Sequence, residues 1–137
     1  MRRLFLLLLM VCTVNSPVLP AGDNINVETM PPSVIKTFPQ AGDTGVDPSL
    51  TEIRATFSKD MQTNKMWSWC AHSPGTFPEI DQTKIRFLAD KRTCVLPVKL
   101  KAGKTYVIWI NTQKYNYFKD KNGNSAIPYL LVFQTQS

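Results

Sequence analysis

The sequence predicts an all-β sandwich, and three observations predict it. Short segments rich in β-branched and aromatic residues are separated by turn residues every eight to fifteen positions, the spacing of a β-sandwich or barrel. The clearest segment, Glu52 to Ser58, sets Ile53, Ala55 and Phe57 on one face and Glu52, Arg54, Thr56 and Ser58 on the other. That period of two buries one face and wets the other. Beyond the N-terminal leader, no segment of useful length has the helical period.

Residues 1–21 read as an export signal. Arg2 and Arg3 give a basic start, Leu4 to Val11 form an unbroken apolar run, and a polar, Pro-containing stretch follows. Eight apolar residues span roughly 12 Å as a helix, well short of the roughly 30 Å hydrocarbon core, so no stable membrane span is expected. Cleavage fits best after Ala21, where the peptidase needs a small side chain. A rival reading takes Leu9-Met10-Val11-Cys12 as a lipoprotein signal with Cys12 acylated, but Val11 is branched where that signal wants a small residue. Residues 22–31 are polar, end in Pro31-Pro32 and read as a linker. Residues 32–137 make one domain, since a chain of this length buries a single core.

Within that domain Val34 to Phe38 is the first strand, and Pro39 to Ser49 is a loop carrying Gly42, Asp43, Gly45, Asp47 and Pro48. Glu52 to Ser58 is the second. Met66 to Cys70 reads as a strand with Trp67 and Trp69 on one side, followed by an irregular stretch through Pro74, Gly75 and Pro78. Lys84 to Leu88 and Thr93 to Leu100 flank a polar tetrad, Ala89 to Arg92, suited to a hairpin. Thr105 to Ile110 and Ala126 to Gln134 are apolar on both faces and are expected to be central or covered. Between them, Asp120-Lys121-Asn122-Gly123-Asn124 is a turn, because Asn and Gly tolerate positive φ.

These segments resemble the bacterial Ig-like domains of surface-layer and other exported bacterial proteins. The likeness lies in Val34 to Pro48, in Ile53 to Met61, in Leu100-Lys101-Ala102-Gly103-Lys104-Thr105-Tyr106, in Asp120 to Asn124 and in Val132 to Thr135. It covers nearly all of residues 32–136 in order, and the stretch from Gln62 to Asp81, rich in Trp and Cys, departs from it most. The resemblance implies an immunoglobulin-like β-sandwich of about seven strands. It also implies that Tyr106 forms a tyrosine corner, its hydroxyl bonded to upstream backbone, and that Phe57 enters the core. The fold serves as spacer, stalk, adhesion and interaction module alike.

Charge and chemistry narrow the function. The formal net charge is +6, and without Arg2 and Arg3 the exported part holds 14 basic against 10 acidic residues, or +4. The basic residues are scattered with no block of five, so no nucleic-acid partner is expected. Cys70 and Cys94 remain after export, either as a disulfide or, as we favour, as two unpaired thiols, with Cys94 a small buried hydrophobe. His72 is the only histidine, too little for a Ser/His/Asp or Cys/His centre, and no metal or cofactor is expected. Asp120, Asn122 and Asn124 alternate like calcium ligands, but Gly123 is misplaced and no Glu closes the loop.

The aromatic residues are what is left. Tyr106, Ile108 and Ile110 face the core in this reading, so Val107 and Trp109 face outward, continued by Leu130 and Val132. Either the loop with Tyr115, Tyr117 and Phe118 folds over that patch, or Trp109, Tyr115, Tyr117 and Phe118 form a contact surface for a protein or a saccharide. The expectation is an exported, non-catalytic module with a structural or protein-interaction role at the cell envelope, the alternative being a module that binds a small ligand or carbohydrate.

Overall fold

The computed structural model describes residues 24–137. The leader, its cleavage after Ala21 and the Cys12 reading lie outside the described residues. Eight strands occur in the order β1 (Val34–Phe38), β2 (Glu52–Phe57), β3 (Trp69–Ala71), β4 (Glu79–Ile80), β5 (Arg86–Phe87), β6 (Thr93–Lys99), β7 (Thr105–Ile110) and β8 (Tyr129–Gln134), with one 3-10 turn at Gln82–Lys84. They form two antiparallel sheets. One runs β1-β2-β6 with both β4 and β5 on the far side of β6, and the other runs β3-β7-β8. This is the expected all-β sandwich.

The core lies between the sheets and follows the period of two. Ile53, Ala55 and Phe57 of β2 and Cys94 and Leu96 of β6 are buried from one side. Tyr106, Ile108 and Ile110 of β7 and Leu131 and Phe133 of β8 are buried from the other. Val95 points the opposite way yet is fully buried. On that face it is flanked by its register partners Arg54 and Arg86, whose guanidiniums both reach Glu52, at 3.3 and 3.4 Å. Long basic side chains cover apolar surface with their stems while their charged heads stay wet.

The count of eight rather than about seven has a local cause. Val98 N–H donates to the Thr51 carbonyl of the β2 side, so by alternation residues 93, 95 and 97 of β6 turn their polar groups the other way. Pro97 has no N–H to offer there. Opposite it the neighbouring strand breaks. β4 pairs with Val98 and Lys99, β5 pairs with Cys94 and Val95, and the 3-10 turn fills the gap. The expected strand Lys84 to Leu88 thus shrinks to Arg86–Phe87, and β3 begins at Trp69 rather than Met66.

Of the last two strands, β7 is central. β8 is an edge, but its outward groups are covered toward its C-terminal end: Gly42 N–H donates to Val132 at 2.7 Å, Val46 N–H to Gln134 at 3.1 Å, and Gln134 N–H to Asp43 at 2.8 Å. β3 is the other edge of that sheet.

The linker expectation is corrected for Val27–Met30. The carbonyls of Val27, Glu28 and Met30 each accept a hydrogen bond from Lys59 Nζ, at 2.9, 2.8 and 2.9 Å. Lys59 also pairs with Asp120 Oδ2 at 2.7 Å, and the two side chains are 6% and 0% exposed. A buried ammonium needs all its donors met, and the segment before Pro31 supplies most of the acceptors, so it is docked on the domain.

Candidate functional site

The sandwich is open along one side. The free edge of β3 does not meet the broken edge formed by β4, the 3-10 turn and β5, and between them runs a groove of about 810 Å³. Trp67, Trp69, Cys70 and Ala71 line it from the β3 side, Ile80, Gln82 and Ile85 from the other, and Tyr115, Tyr117, Lys65 and Lys114 complete the lining. No Asp or Glu lines it. Neither lysine pairs with a carboxylate among the described residues, and Lys114 Nζ lies 5.3 Å from the Tyr115 ring centre.

The loop that carries both tyrosines is held by Asn111, which follows β7 with a φ of +60° and is fully buried. Asparagine tolerates that left-handed backbone better than most residues. Its side-chain amide donates to the carbonyls of Phe118 and Ala126, at 3.0 and 3.1 Å, and its Oδ1 accepts from Phe118 N–H at 3.0 Å. Its own N–H donates to the Ser68 carbonyl, and Ser68 Oγ accepts from Tyr117 N–H at 2.9 Å. The loop is therefore pinned at both its ends, and Tyr115 and Tyr117 stay out at 50% and 53% exposure. Sequence reasoning missed Asn111, although an Asn directly after a strand that reads apolar on both faces was the available signal.

The four residues expected to form one contact surface are split three ways. Tyr115 and Tyr117 line the groove. Phe118 is a correction: it is 0% exposed and sits at the centre of the core, 4.9 Å from the Phe57 ring, 6.3 Å from Phe87 and 5.5 Å edge-on from Trp69. Its neighbour Tyr117 is held to Ser68 while Asn111 draws the Phe118 backbone inward, so successive side chains of an extended stretch point to opposite sides. Trp109 lies on the outer face of the β3-β7-β8 sheet, paired with Cys70 and Leu130, next to the Val107–Val132 pair. The loop does not fold over it. Its indole N–H donates to His72 Nδ1 at 3.2 Å.

Tyr106 is buried, and its hydroxyl accepts the Lys101 N–H at 2.8 Å, closing the turn into β7. Cys70 and Cys94 are both free thiols. Cys70 is on the outer face of one sheet beside Trp109, whereas Cys94 faces the core from the other sheet. Burial, only partly countered by the Trp69 indole and the Arg86 charge, pushes the Cys94 thiol up to about 12, and burial also raises Cys70. Both shifts disfavour the thiolate, most strongly at Cys94.

The Asp120 loop is a turn organised by its own carboxylate. Oδ1 accepts the N–H groups of Asn122 and Asn124, each at 2.9 Å, and Oδ2 takes the Asn124 amide and Lys59. Burial pushes Asp120 up, but the Lys59 and Asn124 hydrogen bonds together outweigh it and hold the carboxyl below its usual value. No group of three or more His, Cys, Asp or Glu side chains able to hold a metal occurs among the described residues, and no helix there is long and apolar enough to cross a membrane.

Residues 28–135 match the family model of the bacterial Ig-like domain, a family that is generally non-catalytic and occurs in extracellular bacterial proteins. None of the curated proteins matches the chain. The match begins at Glu28, inside the segment docked by Lys59, and runs through both sheets to Thr135. The chain belongs to the bacterial Ig-like domain family.

Proposed function

We propose that the protein is an exported, non-catalytic interaction module of the cell envelope, and that its contact site is the groove along β3. One observation carries the reading: four aromatic side chains and two lysines without carboxylate partners gather around one open groove. Large amphipathic rings give contact area with little loss of rotamer freedom, and they are enriched where proteins meet. The apolar strip at Trp109 is the weaker candidate, because it is shallow and its indole is already engaged by His72.

The test is capture of envelope proteins on the immobilised protein and on a Tyr115→Ala/Tyr117→Ala double variant. The variant keeps the wild-type melting behaviour and loses the captured partner. Undiminished capture by the folded variant contradicts the reading, and turnover of an ester, peptide or glycoside by the wild type contradicts its non-catalytic part.

A second reading, carbohydrate binding, draws on the same tyrosines, since flat rings also stack on sugars. A glycan array separates the two: binding to glycans that is lost in the double variant favours this second reading.

A further inference from the structure

We propose that the groove is a strand-addition site, in which an extended, acidic peptide segment of a partner protein pairs with the free edge of β3. This rests on the groove being the contact site and names what occupies it.

The backbone inventory of β3 carries the inference. Asn111 N–H donates to the Ser68 carbonyl at 3.0 Å and His72 N–H donates to Val107 at 3.3 Å, with Cys70 opposite Trp109 between them. Residues 68, 70 and 72 therefore turn their polar groups toward β7. By the alternation of an antiparallel ladder, the N–H and C=O groups of Trp69 and Ala71 turn the other way, into the groove. No strand pairs with them, and none of these four groups has a hydrogen-bond partner among the described residues. Open strand edges invite pairing, and folds normally cover or charge them. The same sheet does so along the Val132–Gln134 end of its other side, where Gly42, Asp43 and Val46 cover β8. At β3 the edge is left bare and lined with aromatic rings.

The geometry also sets the pattern of the occupant. Residues facing each other across two strands share a face of the sheet. Positions opposite Trp69 and Ala71 would turn inward toward Ile80 and Ile85 and are apolar, while the position opposite Cys70 turns outward beside Trp109. Lys65 and Lys114 line the groove without a carboxylate partner, so the occupant carries Asp or Glu. Main-chain bonds then give affinity, with alternate side chains and the two lysines giving specificity. A saccharide would use the tyrosine faces but leave the four edge groups without this matched partner.

The experiment selects binders to the purified protein from a display library of random peptides of about nine residues. The enriched peptide is then followed by amide hydrogen exchange. Enriched sequences carry Asp or Glu together with alternating apolar residues, and saturation slows exchange at Trp69 and Ala71 by about tenfold or more. The Lys65→Glu/Lys114→Glu double variant weakens binding about tenfold. Ala71→Pro removes one groove-facing N–H and none of the bonds to β7, and it weakens binding by a similar factor while the fold survives. Should that variant fail to fold, N-methylation of the peptide at alternate residues makes the same test from the ligand side.

Enrichment with no acidic bias, or binding that leaves the Trp69 and Ala71 amides unprotected, overturns the proposal. So does concentration-dependent protection of those amides without any peptide, which would mean a second copy of the chain occupies the edge. If no peptide is enriched but cello- or chito-oligosaccharides shift the Tyr115 and Tyr117 signals, the occupant is wrong and the groove stands as the site. If neither class perturbs residues 67–71 or 112–117, the occupant and the site fail together.

Discussion

Phe118 and Tyr117 are neighbours in the chain, and substitution at each has a different consequence. Phe118 touches rings from both sheets, so Phe118→Ala opens a cavity in the core and lowers stability by about 3–5 kcal/mol. Tyr117→Ala, at a half-exposed position, changes stability by about 0.5 kcal/mol or less. Denaturant unfolding of the two variants measures both. Lys59 is governed by charge instead of packing. Lys59→Met leaves the fully buried Asp120 carboxylate without its ammonium and costs about 3–5 kcal/mol near neutral pH. The Asp120 pKa is held below its unfolded value of about 3.8, so its contribution is complete above that value and is lost as pH falls through the depressed folded value. Stability curves of wild type and Lys59→Met therefore converge below about pH 4, and a gap that stays constant down to pH 2 would contradict this account of the pair.

At the scale of elements, the two edges of the β3-β7-β8 sheet were treated differently by the fold, and the sequence contained only part of that difference. The alternation in Glu52 to Ser58 and the two-sided apolar character of Thr105 to Ile110 were legible because each comes from burial of one strand's own faces. What covers β8 was not legible, since Gly42 to Val46 reads only as turn chemistry until the long-range hydrogen bonds are known. The broken strand opposite Pro97 was hidden for a similar reason: the proline was visible, but not which neighbour it faces. Trp67, Trp69, Tyr115 and Tyr117 were noted in two separate segments, and only the Ser68–Asn111–Tyr117 contacts bring them to one groove. Phe118 was misplaced because exposure alternates along a loop stretch whose register depends on buried Asn111. The cysteines allow a direct check of strand placement. They face different sides of different sheets, so both thiols persist in an oxidising buffer. A maleimide at pH 8 labels Cys70 well before Cys94, whose thiol, raised to about 12, reacts only on unfolding. A mass shift showing loss of two hydrogens, or equal labelling rates, would contradict that placement.

At the scale of the whole molecule, the sandwich is closed at its core, its N-terminal arm is tied down by Lys59, one sheet edge is covered along part of its length, and one side is open. Function in such a fold comes from what the surface presents rather than from the fold itself, and the open side joins aromatic area, unmatched backbone groups and positive charge. The rival surface, the strip of Val107, Trp109, Leu130 and Val132, lies on the outer face of the β3-β7-β8 sheet, whereas the groove opens beyond the β3 edge between the two sheets. The two are therefore separable in one experiment. A photo-crosslinking amino acid is installed singly at positions 115, 117, 107 and 130 of the protein in its native cell, and the covalent adducts are compared after irradiation. The groove account predicts a defined partner adduct from positions 115 and 117 and none from 107 and 130. Adducts from 107 and 130 alone would contradict it.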